Sequence, residues 1–306
     1  MEKMTVDIII PTYRPDTKFK ELIRRLEQQT YRVRMVYIMN TETGDFPKAA
    51  ITPYENIRVM SVKPEEFDHG GTRDKGASMS DADILLFMTQ DAVPGNHKLI
   101  EKLVGAFAEE RISAAYARQL PTKDCALIER YTRSFNYPAG SSIKSQADIE
   151  TLGIKTYFCS NVCAAYRRSV YESLGGFVKK TIFNEDMIMA GRMVQAGYEV
   201  AYVAEAEVIH SHNYNCVQQF HRNFDVAVSQ VDNPDVFGKI KSESEGIQLV
   251  KKTAVFLFKS HNLWFIPSLV IKSGFKYIGY KLGRNYKHLP QCIVQRCTMN
   301  PRYWAG

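Results

Sequence analysis

Apolar and polar positions follow two rhythms along the first 120 residues. Val6 to Ile10 is a short apolar run closed by Pro11-Thr12, the pattern of a buried strand. Lys18 to Gln29 places Phe19, Leu22, Ile23 and Leu26 at helical spacing. Met35 to Met39 and Ile57 to Val62 read as further strands, and Gly70 to Ser80 as a glycine-rich loop opening a helix. Ile84 to Met88 is another buried strand, closing on Thr89-Gln90-Asp91. His97 to Glu110 is helical, with Leu99, Leu103, Val104 and Phe107 inward, and Ala114 to Ala117 is again strand-like. This alternation predicts an α/β domain with a mostly parallel central sheet and helices on both faces. Ligands of such sheets bind beyond the carboxyl ends of the strands, which marks Thr12, Asn40 and Asp91.

The second half carries a denser signal. In Thr181 to His212 the acidic pair Glu185-Asp186 opens an amphipathic helix that Gly197 ends. A strand, Tyr198 to Val203, follows, and His210-Ser211-His212 lies just beyond. One helix-strand return thus brings a carboxylate near metal-ligating side chains. His210 and His212 alternate along an extended segment, so at most one of them is expected to face a site. Lys123 to Leu152 is polar, contains Pro138-Ala139-Gly140-Ser141-Ser142, and reads as a long loop covering that site. Val217 to Gln230 returns to helix, with Phe220, Phe224 and Val228 on one face, and Asp232-Asn233-Pro234-Asp235 breaks it.

Each candidate has a functional and a structural reading. Asp91 at a strand end can hold a cation through hard oxygen ligands, or cap a turn before Val93-Pro94. In Asp68-His69-Gly70-Gly71-Thr72-Arg73-Asp74 the glycines permit close backbone approach, and Arg73 offers a planar fork for phosphate. The same stretch can be a turn in which Thr72 or Asp74 caps the next helix. Glu185 and Asp186 can complement the helix dipole, or Asp186 can take a proton from a hydroxyl.

Composition changes the picture mainly at the C-terminus. With 306 residues, 45% hydrophobic and 24% charged, the chain has ample core for a globular protein. Met4 to Pro11 reads as a strand rather than a secretory signal, and the six cysteines form no CxxC pair, which points to reduced thiols. The net charge of +7 is unevenly spread. No Asp or Glu follows Glu245, whereas ten of the 40 basic residues lie from Lys251 onward, leaving 30 against 33 acidic residues before it. Thr253 to Ile271 is apolar but interrupted by Lys259, His261, Asn262 and Pro267, so it is a poor membrane span. The expectation is helices lying in a membrane interface, with Phe256, Phe258, Trp264, Phe265, Phe275, Tyr277 and Tyr280 toward lipid and lysines at anionic headgroups. The alternative is a tail packed on the body or on another copy. Basic-aromatic interleaving also suits single-stranded nucleic acid, but the mildly acidic body and the lack of a nucleic-acid module argue against it.

These pieces, in this order, resemble the family 2 glycosyltransferases. The residues that carry the resemblance are IIIPTYR, VYIMNTETGD, DHGGTRDKGA, LLFMTQDAVP, the Gly-Gly-Phe turn at 175–177, NED and VIHSH, spanning roughly Val6 to Tyr214. HGGTRDKGA, TQDA and the ending YKLGRNYKHLP…RYW look most like bacterial rhamnosyltransferases of cell-wall or capsular polysaccharide synthesis. The resemblance implies a GT-A fold over residues 1–215, with a nucleotide-sugar half to about residue 95 and an acceptor half after it. Residues 216–306 would form a helical membrane-associating or oligomerising region. It implies an inverting transfer from dTDP-β-L-rhamnose, or alternatively a UDP-hexose, to a lipid-linked saccharide with Mg²⁺ or Mn²⁺, at the cytoplasmic face of the membrane. A sugar-phosphate nucleotidyltransferase is the reading from another enzyme class, and a non-catalytic scaffold the third. By the same resemblance Asp186 is the catalytic base and Glu185 its supporting neighbour. Asp91 stands at the second Asp of Asp-x-Asp and would bind the metal, with His210 completing its shell. Thr89 replaces the first Asp, and Asn40 stands where an Asp often reads the pyrimidine; an amide can still pair with an imide edge. Pro11, Thr12, Tyr13, Arg14, Gly71, Arg73 and Gln90 complete the implied donor site.

Overall fold

The computed structural model describes residues 3–304 except 45, 239, 241 and 242, so the end of the VYIMNTETGD stretch, Asp45, lies outside the described residues. Among the described residues nine strands form one sheet: β1 (Val6–Thr12), β2 (Met35–Thr41), β3 (Ile57–Val62), β4 (Ile84–Met88), β5 (Val93–Pro94), β6 (Ile112–Leu120), β7 (Ser142–Lys144), β8 (Cys163–Arg167) and β9 (Glu199–Ile209). Twelve α-helices accompany them among the described residues: α1 (Thr17–Glu27), α2 (His69–Ala77), α3 (Leu99–Gly105), α4 (Leu127–Asn136), α5 (Ile149–Leu152), α6 (Arg168–Ser173), α7 (Glu185–Gln195), α8 (Cys216–Asp232), α9 (Pro234–Phe237), α10 (Glu243–Lys259), α11 (Ile266–Arg284) and α12 (Gln291–Cys297).

The sheet order is β3-β2-β1-β4-β8-β6-β9-β5, with β7 on the far part of β9. β1 to β4, β6 and β9 run one way, while β8 is inserted antiparallel between β4 and β6. The pleat explains the two-sided burial of the early strands. Ile8 and Ile10 of β1, Val36 and Ile38 of β2, and Leu86 of β4 pack with Phe19, Leu22 and Leu103 under α1 and α3. Ile9, Tyr37, Met39 and Phe87 point the other way, to Tyr171, Phe177 and Ile188 under α6 and α7. Strands buried on both faces read as continuous apolar runs, which is why these were legible.

Strand direction fixes where chemistry can gather. The carboxyl ends of β1, β2, β4, β6 and β9 meet at one edge of the sheet. Because β8 runs the other way, its amino-terminal approach, Cys159 to Val162, comes to the same edge.

Two local expectations change. The stretch Lys123 to Leu152 contains α4, β7 and α5 rather than a bare loop. In α4 the side toward the body is polar, with Glu129, Thr132, Arg133 and Asn136 lining a cavity, so its inward face does not read as apolar. Gly70 and Gly71 lie inside the first turn of α2 rather than in a preceding loop, and Asp68, not Thr72 or Asp74, caps that helix by accepting from Gly71 N at 2.6 Å. A Cβ on Gly70 would overlap the Val178 carbonyl oxygen, which accounts for glycine there.

The C-terminal helices pack on the body. Gly279 and Gly283 of α11 sit against the Phe220 and Phe224 carbonyls of α8, an approach that a side chain would block. Phe256 of α10 stacks on Tyr131 of α4, with ring centroids 4.4 Å apart. A third apolar cluster joins Ile182, Phe224, Val228, Val294 and Cys297, so α12 and the chain end press on the segment leading into α7. The opposite faces of α10 and α11 and the turn between them are open: Phe258 of α10 is 68% exposed, Trp264 of the turn 70% and Tyr277 of α11 60%. Among the described residues no helix is long and apolar enough to cross a membrane.

Candidate active site

A cavity of about 390 Å³ opens at the convergent edge. Its walls come from the β4 end (Asp91), β6 (Gln119), the approach to β8 (Asn161), the α7 start (Asp186) and the β9 end (His210). α4, α8 and α11 close it from the other side.

Asp186 is half-buried in the first turn of α7. One carboxylate oxygen accepts from Asn161 N at 2.9 Å and the other from Met187 N at 2.8 Å, which holds the group rigidly. Burial, then the neighbouring Glu185 charge, push its pKa up to about 7, against the two backbone donors. Such a carboxylate has raised proton affinity and can receive a proton near neutral pH. Asn184 just before it takes the left-handed conformation (φ 64°), with its amide tied to Ser229 Oγ at 2.5 Å.

Glu185 is buried beneath it. Burial opposes its charge, but Arg73 and then His69 outweigh burial and keep the carboxyl below its ordinary range. Arg73 Nη1 lies 3.2 Å from Glu185 Oε1 and also donates to the His69 carbonyl at 2.9 Å. Asn161 Nδ2 donates to the same Glu185 oxygen at 3.2 Å, and Asn161 Oδ1 accepts from the buried Tyr166 hydroxyl at 3.0 Å. Tyr166, Asn161, Glu185 and Arg73 therefore form one buried polar layer under Asp186. A connected network of this kind fixes geometry, although the buried Arg73 Nε has no hydrogen-bond partner in it.

Across the cavity stands a corner of three side chains that could hold a cation. His210 Nε2 is 3.5 Å and His212 Nε2 3.4 Å from the same Asp91 oxygen, and the three ligand atoms lie within 4.8 Å of one another. The expectation that only one histidine could face the site is thus corrected. β9 ends at Ile209, so the triplet leaves the strand geometry that would have separated them, and the two rings meet edge-to-face at 4.7 Å. His210 Nδ1 donates to Gln119 Oε1 at 3.1 Å, which leaves the Nε2 lone pair toward Asp91. Burial lowers the His210 pKa to about 3 and also depresses His212, so both imidazoles are neutral ligands at neutral pH. Two lone pairs and a carboxylate aimed at one point fit a divalent cation. A further sign is Thr89 Oγ1, buried in this wall with no hydrogen-bond partner.

The expected donor residues form a neighbouring group at the ends of β1 and β2. Thr12 Oγ1 donates to Asn40 Oδ1 at 2.9 Å. Gln90 clamps Tyr13 in both directions, accepting from its N–H at 2.8 Å and donating to its carbonyl at 3.0 Å. Pro11 is the penultimate residue of β1, Arg14 lies two residues past its end with φ 47°, and Tyr13 is 46% exposed. None of Pro11, Thr12, Tyr13, Arg14, Asn40 and Gln90 lines the cavity itself. Gly71 is also outside it, and its N–H is already taken by Asp68. Arg73 lines the cavity but is committed to Glu185, with its Nε buried and unpartnered.

Several cavity residues carried no sequence signal. Gln119 holds His210, Tyr137 and Arg133 together, and Asn161 holds Asp186 and Glu185. Arg222 and Lys276 come from beyond residue 215.

Residues 7–175 match glycosyl transferase family 2. The chain belongs to this family. It is 40% identical over 302 residues to the O-antigen chain rhamnosyltransferase WbaN of Salmonella anatum, covering 97% of this chain and 95% of that protein. It is also 40% identical over 305 residues to the O-antigen chain rhamnosyltransferase RfbN of Salmonella typhimurium, covering 98% and 96%. Among solved structures, the mannosyltransferase PcManGT from Pyrobaculum calidifontis, in complex with GDP-Man and Mn²⁺, superposes with a TM-score of 0.60 at 15% identity, covering 98% of this chain and 87% of that one. Residues 1–349 of S. aureus TarS with UDP-GlcNAc give 0.55 at 12%, covering 93% and 92%. These glycosyltransferases share the expected GT-A arrangement.

Proposed function

We propose that this family 2 glycosyltransferase transfers L-rhamnose, with inversion, from dTDP-β-L-rhamnose to a lipid-linked saccharide during O-antigen-type polysaccharide synthesis. The observation that carries the reaction class is that one cavity holds both a carboxylate of raised proton affinity and a cation-binding corner. The sugar is supported by 40% identity over nearly the whole chain to two proteins named O-antigen chain rhamnosyltransferases.

In this reading Asp186 takes the proton of the acceptor hydroxyl as that oxygen attacks the anomeric carbon opposite the departing diphosphate. Asn161 and Met187 N–H groups each take one lone pair of the carboxylate, one on each oxygen, and leave the others for the acceptor hydroxyl. Glu185, pinned by Arg73, keeps the α7 turn in place and raises the proton affinity of its neighbour. Asp91, His210 and His212 would hold Mg²⁺ or Mn²⁺, which supplies positive charge to the diphosphate oxygens. Asn40, fixed by Thr12, presents its amide to the pyrimidine edge, while Tyr13, Arg14 and Gln90 border the donor. Direct displacement needs no second carboxylate as nucleophile.

The tail brings the enzyme to its acceptor. Exposed aromatics on α10 and α11 and the excess of basic residues suit the anionic cytoplasmic face of a membrane, where a lipid-linked saccharide is presented.

The test is a transfer assay with Mn²⁺ and a synthetic prenyl-diphosphate saccharide, offering dTDP-β-L-rhamnose, UDP-glucose and GDP-mannose separately. Turnover with dTDP-β-L-rhamnose and an α-linked product by NMR is expected. Turnover with another donor alone, or a β-linked product, would overturn the assignment.

A further inference from the structure

The charges around the cavity do not balance in pairs. Among the described residues four cationic side chains line it: Arg73, Arg133, Arg222 and Lys276. Arg73 is paired with Glu185, and Arg133 with Glu129 at 3.0 Å. Among the described residues no carboxylate pairs with Arg222 or with Lys276. The acid that acts most on Lys276 is Glu129, already engaged by Arg133.

Both unpaired cations are placed rather than loose. The Arg222 guanidinium lies 4.5 Å over the Phe183 ring and 5.8 Å over the Tyr214 ring. Phe183 stands just before the Asn184-Glu185-Asp186 turn, and Tyr214 stacks on His212 at 5.1 Å. Arg222 is therefore held between the base and the cation-binding corner by aromatic faces that orient a guanidinium without neutralising it. Lys276 reaches the cavity from α11, whose position is set by Gly279 and Gly283 against α8. Burial holds its ammonium below the ordinary lysine range, and Glu129, already engaged by Arg133, offsets that cost only in part. Two cations held over one polar cavity without counter-charges are the complement of a multiply charged anion.

We propose that Arg222 and Lys276, supplied by α8 and α11, form a diphosphate-binding wall of the cavity. This rests on the glycosyltransferase reading, in which a diphosphate is present on the sugar donor and again on a prenyl-linked acceptor. The C-terminal helices then belong to the active site.

The experiment uses the full chain with Mn²⁺ and titrates inorganic pyrophosphate, dTDP and farnesyl diphosphate by calorimetry into wild type, Arg222→Gln, Arg222→Lys and Lys276→Gln. Loss of a charge-assisted contact is expected to weaken pyrophosphate binding about tenfold or more in Arg222→Gln and Lys276→Gln. Arg222→Lys should recover part of it, and the affinity lost should shrink with added KCl. A packing role alone would give neither the rescue nor the salt dependence. A matching loss for dTDP assigns the wall to the donor; a matching loss for farnesyl diphosphate assigns it to the acceptor. Wild type that binds pyrophosphate but not dTDP would count against the nucleotide-sugar reading while leaving the wall in place. Folded Gln variants that bind pyrophosphate as wild type does, or wild type that binds none, would overturn the proposal.

Discussion

Replacing Glu185 with Gln removes one charge from the buried layer under Asp186, with two separable consequences. The first is stability. Breaking one side of a buried ion pair costs about 3–5 kcal/mol, because the partner is left uncompensated. Gln retains an Oε1 that can accept from Arg73 and Asn161, which places Glu185→Gln near the low end, about 3 kcal/mol. At about 2 °C per kcal/mol for a chain this large, the melting temperature should fall by roughly 6 °C. The second is the pH profile. A base must be deprotonated, so wild-type turnover should fall as pH drops through the raised Asp186 pKa of about 7. The Glu185 charge is the second cause of that rise, after burial. Neutralising it lowers the pKa of Asp186, so the acidic limb moves to lower pH. Burial remains, so the limb should stop short of the ordinary Asp value of 3.8. Calorimetric melting and kcat/KM from pH 4.5 to 8.5 measure both. An unchanged melting temperature together with an unmoved limb, or a limb that moves upward, would refute the coupling of Arg73, Glu185 and Asp186.

Asp186→Asn should keep its fold and donor affinity but lose about 10²–10⁴-fold in kcat; turnover within a few fold of wild type would remove it from the role of base. Asp91→Ala and His212→Ala should each weaken Mn²⁺-dependent dTDP binding, with His212→Ala matching His210→Ala within a few fold, since both imidazoles reach the same Asp91 oxygen. A titration in which only His210→Ala weakens metal binding would contradict the two-histidine corner. Phe258→Ser and Trp264→Ser together should release the protein from anionic vesicles in co-sedimentation without lowering the melting temperature, because both side chains are over two-thirds exposed. Full-length protein that ignores anionic vesicles at low salt would leave the exposed face of α10 and α11 to another use.

The layered body was legible because its strands are buried on both faces and its helices on one, so hydrophobicity and periodicity agree. Val6–Ile10, Ile84–Met88 and the helix opened by Glu185-Asp186 lie close to where the pattern put them. The pattern failed where burial is polar. The inward face of α4 is built from Glu129, Thr132, Arg133 and Asn136, so a helix essential to the cavity read as a loop. Gln119 sits inside an apolar strand and gave no warning that it orients His210, Tyr137 and Arg133.

The two histidines show why local periodicity was insufficient for the site. Their opposite orientation would have held had β9 continued, but the strand stops at Ile209 where β6 stops pairing at Leu120, and nothing in the spacing of the triplet marks that end. Asn161 depends still more on topology. It reaches Asp186 only because β8 runs against its neighbours and brings its amino end to the edge where they end. Arg222 and Lys276 reach the same edge only because the glycines of α11 let it close on α8. Residues that face one another across the cavity come from α2, α4, α7, α8, α11 and the ends of several strands, far apart in the chain. A sequence motif can mark each segment's chemistry, but only strand direction and helix packing decide which chemistries meet.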